Sequence, residues 1–170
     1  MLRRAGAPGM TETRSIDAKT FWRALGARPS GVAVATAHGA DGPAGFLALS
    51  ATHLTADPPT MLVAIDKRTS ALAAVLHAKH FALNFLGRGD EALADMFSGK
   101  TAVRGAARFA PARWHVLTTG APVLNEAIGA IDCVLEETIE RFSVTIAIGR
   151  VVDFVTRDGE PLILFRGAYR

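Results

Sequence analysis

Residues Leu49 to Pro59 read LSATHLTADPP, a small and polar stretch between two apolar runs. A buried strand is usually rich in branched apolar residues, whereas this one alternates apolar residues with Ser, Thr and His. Two prolines end the stretch, and the apolar run TMLVAID follows at once. Since proline has no backbone N–H, neither residue can donate a hydrogen bond to a strand ladder. The pattern predicts a strand with one face toward solvent or a ligand, then a stiff turn into a buried strand.

Strand-like runs also dominate the rest of the chain. They are GVAVATA, FLALSATHL, TMLVAID, FALNFLG, IGAIDCVLEE, VTIAIGRVVDFV and LILFRG, with a hairpin turn indicated at Asp41-Gly42. Short helices are predicted at SIDAKTFWRALGA, SALAAVLHAKH and EALADMFSG. This order lacks the regular alternation of a doubly wound sheet. We therefore predict a mainly β fold class, a small closed barrel with α-helices packed outside.

Length and composition predict one soluble domain. The chain has 170 residues, of which 1–15 are predicted to be a flexible tail and 16–170 the folded domain. The net charge of +3 is spread over scattered basic residues, so no nucleic-acid partner is expected, and no apolar run is long enough to span a membrane. The single cysteine, Cys133, excludes an intrachain disulfide and a cysteine-based metal site. We predict no metal site and a cytoplasmic location.

A second pattern stands where the TMLVAID strand ends, at IDKRTSALAAV. Lys67 and Arg68 follow Asp66, and Thr69 or Ser70 opens the next predicted helix. Free backbone N–H groups, the positive end of the helix dipole and two cations would meet there, which favours an anion such as a phosphate. An ordinary helix cap with two solvated bases is the alternative.

The two patterns lie on consecutive predicted strands and could line one groove. There Ser50, Thr52 and the nearby backbone could hydrogen-bond a flat heteroaromatic ligand, while residues 67–70 hold its phosphate. His53 lies on the same stretch and is either a ligand contact or a structural hydrogen-bonding residue. The alternative is a barrel strand with one solvated face.

Several segments together resemble a known family. SGVAVATA, GFLALSATHLTADPPTMLVAID, KRTSALAAV, HFALNFLG, IGRVV and EPLILFRGAYR stand in the order and spacing of the flavin reductase-like, FMN-binding split-barrel proteins. The resemblance covers roughly residues 18–170 and extends to the small reductase components of two-component flavin monooxygenases, including the 4-hydroxyphenylacetate type. It implies a six-stranded antiparallel split β-barrel of Greek-key type, and a homodimer with flavin bound near its interface.

The resemblance also implies an activity. Hydride would pass from NADH or NADPH to FMN or FAD, and reduced flavin would diffuse to a separate oxygenase component. Because hydride moves directly between the two nucleotides, no catalytic acid or base is expected from the protein. The residues implied to contact the flavin or the nicotinamide are Leu47, Ala48, Leu49, Ser50, Ala51, Thr52, His53, Asp66, Lys67, Arg68, Thr69, Ser70, Phe165 and Tyr169.

Two departures from the family pattern leave a second interpretation open. Many relatives carry a histidine just before the RGxYR ending, where this chain has Phe165, and another near the start of the TIAIG strand, where residues 141–144 read RFSV. The alternative is a flavin-binding carrier or sensor without significant nicotinamide-dependent reductase activity. Turnover of NADH or NADPH would distinguish the two.

Overall fold

A computed structural model describes residues 15–170. The first 14 residues of the predicted N-terminal tail lie outside the described residues. The helices of the described part are α1 (Ala18–Leu25), α2 (Ser70–Ala78) and α3 (Glu91–Ser98). All three predicted helices are thus confirmed. Asp17 caps α1 as its sequence indicates, since its carboxylate accepts a hydrogen bond of 2.9 Å from the backbone N–H of Thr20.

The strands of the described part match the predicted runs, with additions near the C-terminal half. They are β1 (Ser30–Gly31), β2 (Ala33–Gly39), β3 (Gly42–Ala48), β4 (Thr52–Ala56), β5 (Pro59–Asp66), β6 (His80–Phe85), β7 (Trp114–Val116), β8 (Pro122–Leu124), β9 (Gly129–Arg141), β10 (Val144–Thr156), β11 (Ile163–Phe165) and β12 (Ala168–Tyr169).

A seven-stranded antiparallel sheet forms the body of the fold, in the order β3-β2-β6-β9-β10-β5-β4. Within it β6, β9 and β10 are successive neighbours, and β5, which precedes them in the chain, lies beside β10. This is Greek-key connectivity. Two smaller sheets pair β1-β11-β12 and β7-β8. The expected mainly β, antiparallel Greek-key fold is confirmed.

The barrel is split between β3 and β4. These strands occupy opposite edges of the large sheet, yet only three residues, 49–51, connect them. The sheet must therefore curl until its edges approach, and the Ser50 hydroxyl donates a hydrogen bond of 3.1 Å to the carbonyl of Ala64 on β5. The continuous strand FLALSATHL and the closed barrel were wrong predictions, because a bend at 49–51 interrupts the strand and leaves the ladder open.

The proline pair forms the turn between β4 and β5. Ala56 pairs with Pro59, and the Asp57–Pro58 peptide between them is cis. The Thr55 hydroxyl accepts a hydrogen bond of 3.2 Å from the Asp57 backbone N–H and so braces the turn. The stiff turn expected from the sequence is confirmed.

Two apolar clusters hold the elements together. One fills the inside of the curled sheet around Val63, Ile65, Phe81 and Leu83, and it includes Cys133. The other joins α3 to β1–β2 and the C-terminal strands through residues such as Leu93, Phe97 and Leu162. These clusters fix the bend at 49–51 from two sides, because Ala51 packs against the first and Leu49 against the second.

Candidate functional site

The bend at 49–51 forms one wall of a groove of about 530 Å³, the α1 groove. Four of its eleven lining residues are leucine, and most of its surface is apolar. Leu47 of β3 and Leu49 and Ser50 of the bend line it on one side. Trp22 and Leu25 of α1 and Arg166 of the turn between β11 and β12 also line it. Arg28 and Leu164 line the groove as well. A groove of this size is in the range of small-molecule sites, roughly 300–1,000 Å³.

Two alanines of the same stretch line a different cavity. Ala48 and Ala51 line a space of about 360 Å³ together with Phe85 and Thr156. The stretch that the resemblance assigns to flavin therefore contributes side chains to two separate cavities.

Thr52 and His53 lie beyond the bend on β4, which is exposed along its whole length. His53 lines a third, strongly apolar cavity of about 360 Å³, the β4 groove, with Met61, Phe154 and Val155 among its walls. The structure thus brings His53 next to apolar groups, apart from the α1 groove.

The predicted anion segment carries two cations, and each contacts a carboxylate. Lys67 Nζ lies 2.7 Å from Glu140 Oε2, and the Arg68 guanidinium donates hydrogen bonds to both Asp66 oxygens. These bonds to Arg68 lower the pKa of Asp66 to about 2, and the hydrogen bond from Lys67 lowers the pKa of Glu140. An incoming anion must compete with these carboxylates.

Thr69 and Ser70 stand at the start of α2, as predicted. Thr69 is the N-cap residue, although its side chain makes no capping hydrogen bond. Ser70 is the first helical residue and lines a fourth cavity, of about 350 Å³, with residues 39–44 of the β2–β3 turn and His77.

The bend and the anion segment are neighbours without sharing a cavity in the described chain. The hydrogen bond from Ser50 to Ala64 places the bend two residues before Asp66 on β5. Two residues of strand span about 6.6 Å. The structure therefore brings the two predicted halves of the site close together, but Ser50 and Ser70 line different cavities.

Phe165 and Tyr169 lie beside the α1 groove but outside its lining. The Arg166 guanidinium stands 5.1 Å from the centre of the Phe165 ring. Tyr169 points toward α3, where its hydroxyl donates a hydrogen bond of 2.9 Å to Asp95 Oδ1. Burial is the main cause that raises the pKa of Tyr169. In this structure Tyr169 ties the C-terminal strand to α3.

Of the eleven residues that line the groove, three were named from the sequence and eight were missed, among them Trp22, Arg28 and Arg166. The sequence shows that α1 has an apolar face that includes Trp22. Such a face serves packing only where another element covers it, and an uncovered one can line a ligand site. Arg166 and Gly167 both have positive φ, of 50° and 77°, and form the tight turn that carries Arg166 to the groove rim.

No helix among residues 15–170 is both long and apolar enough to cross a membrane. The same residues hold no group of three or more His, Cys, Asp or Glu side chains placed to bind a metal ion.

Comparison with known proteins identifies the family. The model of the flavin reductase like domain matches residues 25–170. The FMN reductase (NADH) RutF of Agrobacterium fabrum is 37% identical over 160 residues, which cover 94% of this chain and 89% of the relative. The enzyme of the same name from Ancylobacter novellus is 34% identical over 95% of this chain and 88% of its own length.

A solved structure agrees with the sequence relatives. The NADH:FAD oxidoreductase SgcE6 of Streptomyces globisporus superposes with a TM-score of 0.82 at 26% identity, over 93% of this chain and 96% of that one. The same protein has been solved in complex with NAD and FAD fragments. The matched region spans the split barrel and the α1 groove almost entirely, so this chain belongs to the flavin reductase-like domain family.

Proposed function

We propose that this chain is an NAD(P)H-dependent flavin reductase, which transfers hydride from NADH or NADPH to FMN or FAD and supplies reduced flavin to a separate oxygenase component. The observation that carries the proposal is the α1 groove. Its wall is the segment at Leu47, Leu49 and Ser50 that the family resemblance assigns to flavin, and its floor is apolar. Both features suit a flat ring system.

The residues that line the groove are chemically suited to a flavin. Leucine side chains offer apolar surface to a ring, and Ser50 adds a polar group at one edge. The backbone of residues 49–51 stands outside both flanking ladders, so its polar groups can meet the edge of a heterocycle. Arg28 and Arg166 also line the groove, and their charge suits the phosphates of a nucleotide.

The protein's part in the reaction is binding and orientation. Flavin supplies an electron-accepting ring to which hydride is added when it is bound. No histidine and no carboxylate lines the α1 groove within the described chain. The residues present would therefore hold two rings face to face and exclude water from between them, without a proton donor of their own.

The groove is open to solvent, as expected of a reductase that releases reduced flavin. The lining comes from α1, the bend and the C-terminal turn, and one wall is the exposed Trp22. The charged residues 66–68 are already paired with carboxylates. Flavin would consequently be held by competing interactions and released readily to the oxygenase.

We also propose a homodimer that covers β4. All five residues of β4 are exposed, Leu54 is 51% exposed, and Phe154 of β10 is 66% exposed. A second copy would bury this apolar surface and would bring Thr52 and His53 into an interface. Sedimentation should give twice the chain mass, and Leu54→Glu with Phe154→Glu should give the monomer. A monomeric wild type would contradict the proposed homodimer.

The proposed location of the protein is the cytoplasm.

The function is tested with flavin-stripped protein. NADH or NADPH is mixed with FMN or FAD, and the loss of nicotinamide absorbance is followed. Consumption that depends on both protein and added flavin supports the reductase and ranks the substrates. The carrier or sensor is the second candidate, and the absence of Phe165 from the groove lining favours it. Flavin binding without nicotinamide consumption would establish that alternative.

A further inference from the structure

Helix α1 presents an apolar face that the described chain leaves uncovered. None of its residues is buried, and Phe21 and Trp22 are 51% and 64% exposed. The helix lies beside the α1 groove, since Trp22 and Leu25 both line it. At its C-terminal end the Gly26 carbonyl accepts a hydrogen bond of 3.0 Å from the Arg166 backbone N–H. Trp22 therefore contributes a largely exposed indole ring to the lining of the groove.

Two guanidinium groups stand on the rim of the same groove. Arg28 follows α1 directly, and Arg166 projects from the β11–β12 turn. Neither takes part in an ion pair among residues 15–170. They differ in this from Lys67 and Arg68, which both contact carboxylates. A site with apolar walls, one exposed indole and two unpaired guanidiniums is complementary to a ligand with aromatic rings and phosphates.

We propose that Trp22 stacks on a ring of the dinucleotide co-substrate and that Arg28 and Arg166 bind its phosphates. The assignment rests on the proposed reductase function, because that function supplies the dinucleotide. Stacking of a base on an aromatic side chain and bidentate contacts from arginine to phosphate are the interactions that these residue types make best. Flavin would occupy the bend side of the groove, and the dinucleotide would lie between flavin and α1.

Phe165 is less suited to this role than Trp22. Its ring lies under the Arg166 guanidinium and outside the groove lining. Where many relatives have a histidine before the C-terminal RGxYR, this chain would instead use an aromatic side chain from the opposite wall. Trp22 and the two arginines are thus positioning residues for NADH or NADPH.

Steady-state kinetics test the stacking. Trp22→Ala should raise the KM for NADH about tenfold, as expected for loss of one stacked base. The KM for FMN should change less than twofold, and Trp22→Phe should recover most of the loss. Arg23→Gln is a matched control on the same helix, because Arg23 is exposed and outside the groove lining. An unchanged KM for NADH in Trp22→Ala would overturn the proposal.

A hydride donor without phosphates tests the arginines. Arg28→Gln and Arg166→Gln should each raise the KM for NADH about fivefold, the size of one partly screened charge contact. Neither should change the KM for reduced nicotinamide riboside, which has the reactive ring and no phosphate. Equal effects on both donors would overturn the phosphate assignment.

Fluorescence separates this proposal from the reductase function. The chain has two tryptophans, and Trp114 packs among Phe97 and Phe109 in the apolar cluster. In Trp114→Phe protein the emission reports Trp22 alone, and titration with NAD⁺ should quench it saturably without any turnover. Quenching in a protein that consumes no NADH would retain the site and reject the activity. If the emission of Trp22 changes with protein concentration and not with NAD⁺, a second copy of the chain covers α1. That result would overturn the proposal.

Discussion

The double variant Lys67→Gln, Ser70→Ala tests the phosphate anchor. A charge-assisted hydrogen bond contributes about 1.5–3 kcal/mol, but Lys67 is 37% exposed and shared with Glu140, so we discount its contribution to about 1 kcal/mol. The Ser70 hydroxyl, at the first position of α2, adds about 0.5–1 kcal/mol. The sum predicts FMN binding weakened about 10- to 30-fold. Riboflavin, which lacks the phosphate, should bind within about twofold of the wild type.

The assay is a fluorescence titration of both flavins against each variant. Arg150→Gln is the matched control, because Arg150 forms an ion pair of the same length, 2.7 Å to Glu136, on the same sheet. It should leave both affinities unchanged. Equal weakening of FMN and riboflavin by the double variant would refute the phosphate assignment, since the change would then act on the ring or on the fold.

Three further predictions follow from single contacts. Glu140→Gln removes the carboxylate partner of Lys67 and should raise the affinity for FMN about two- to threefold, as expected for one exposed ion pair, without changing the affinity for riboflavin. Weaker FMN binding would contradict the idea that Glu140 competes with the phosphate for Lys67. Gly149→Ala would place a Cβ 2.6 Å from the Phe81 ring and should cost about 1–3 kcal/mol in denaturant unfolding; stability equal to wild type would show that the ring can move aside. Burial raises the pKa of the Cys133 thiol to about 12, so it should resist a disulfide reagent at neutral pH until the protein unfolds. Because only the unfolded state loses this proton between about pH 9 and 12, stability should fall as pH rises through that range, and less so in Cys133→Ala.

Local signals predicted the elements that local chemistry determines. The three helices form where their sequence predicts them, and the proline pair forms the stiff turn between β4 and β5. A hairpin also joins β2 to β3, although its two turn residues are Ala40-Asp41 and the predicted pair was Asp41-Gly42. Each outcome depends on a few neighbouring residues or on burial. The fold class followed because strand length and spacing are visible in the sequence.

Long-range geometry set the features that sequence reasoning missed. The break at residues 49–51 depends on the curl of a seven-stranded sheet, which brings two edges together over three residues. No local pattern measures that curl, so one strand was expected where there are two. For the same reason Ser50 and Ser70, predicted to share a groove, line separate cavities.

Some residues of the candidate site could be named from the sequence, and others only from the folded structure. Ser50, which lines the α1 groove, and Lys67, which precedes α2, were named from the sequence as candidate ligand contacts. Trp22 and Arg166 were not, because 144 residues separate them in the chain and only the folded structure places them on one groove. Tyr169 was expected near the nicotinamide, and that assignment stays a prediction while its hydroxyl contacts Asp95.

One measurement tests the central claim most directly. Flavin-stripped protein is mixed without oxygen with NADH and an excess of FMN, and the flavin and nicotinamide absorbances are recorded together. The proposed function predicts that both bleach in equal molar amounts, at a rate proportional to protein and far above that of the two nucleotides alone. FMN that binds while both absorbances stay constant, with NADH and with NADPH, would contradict it.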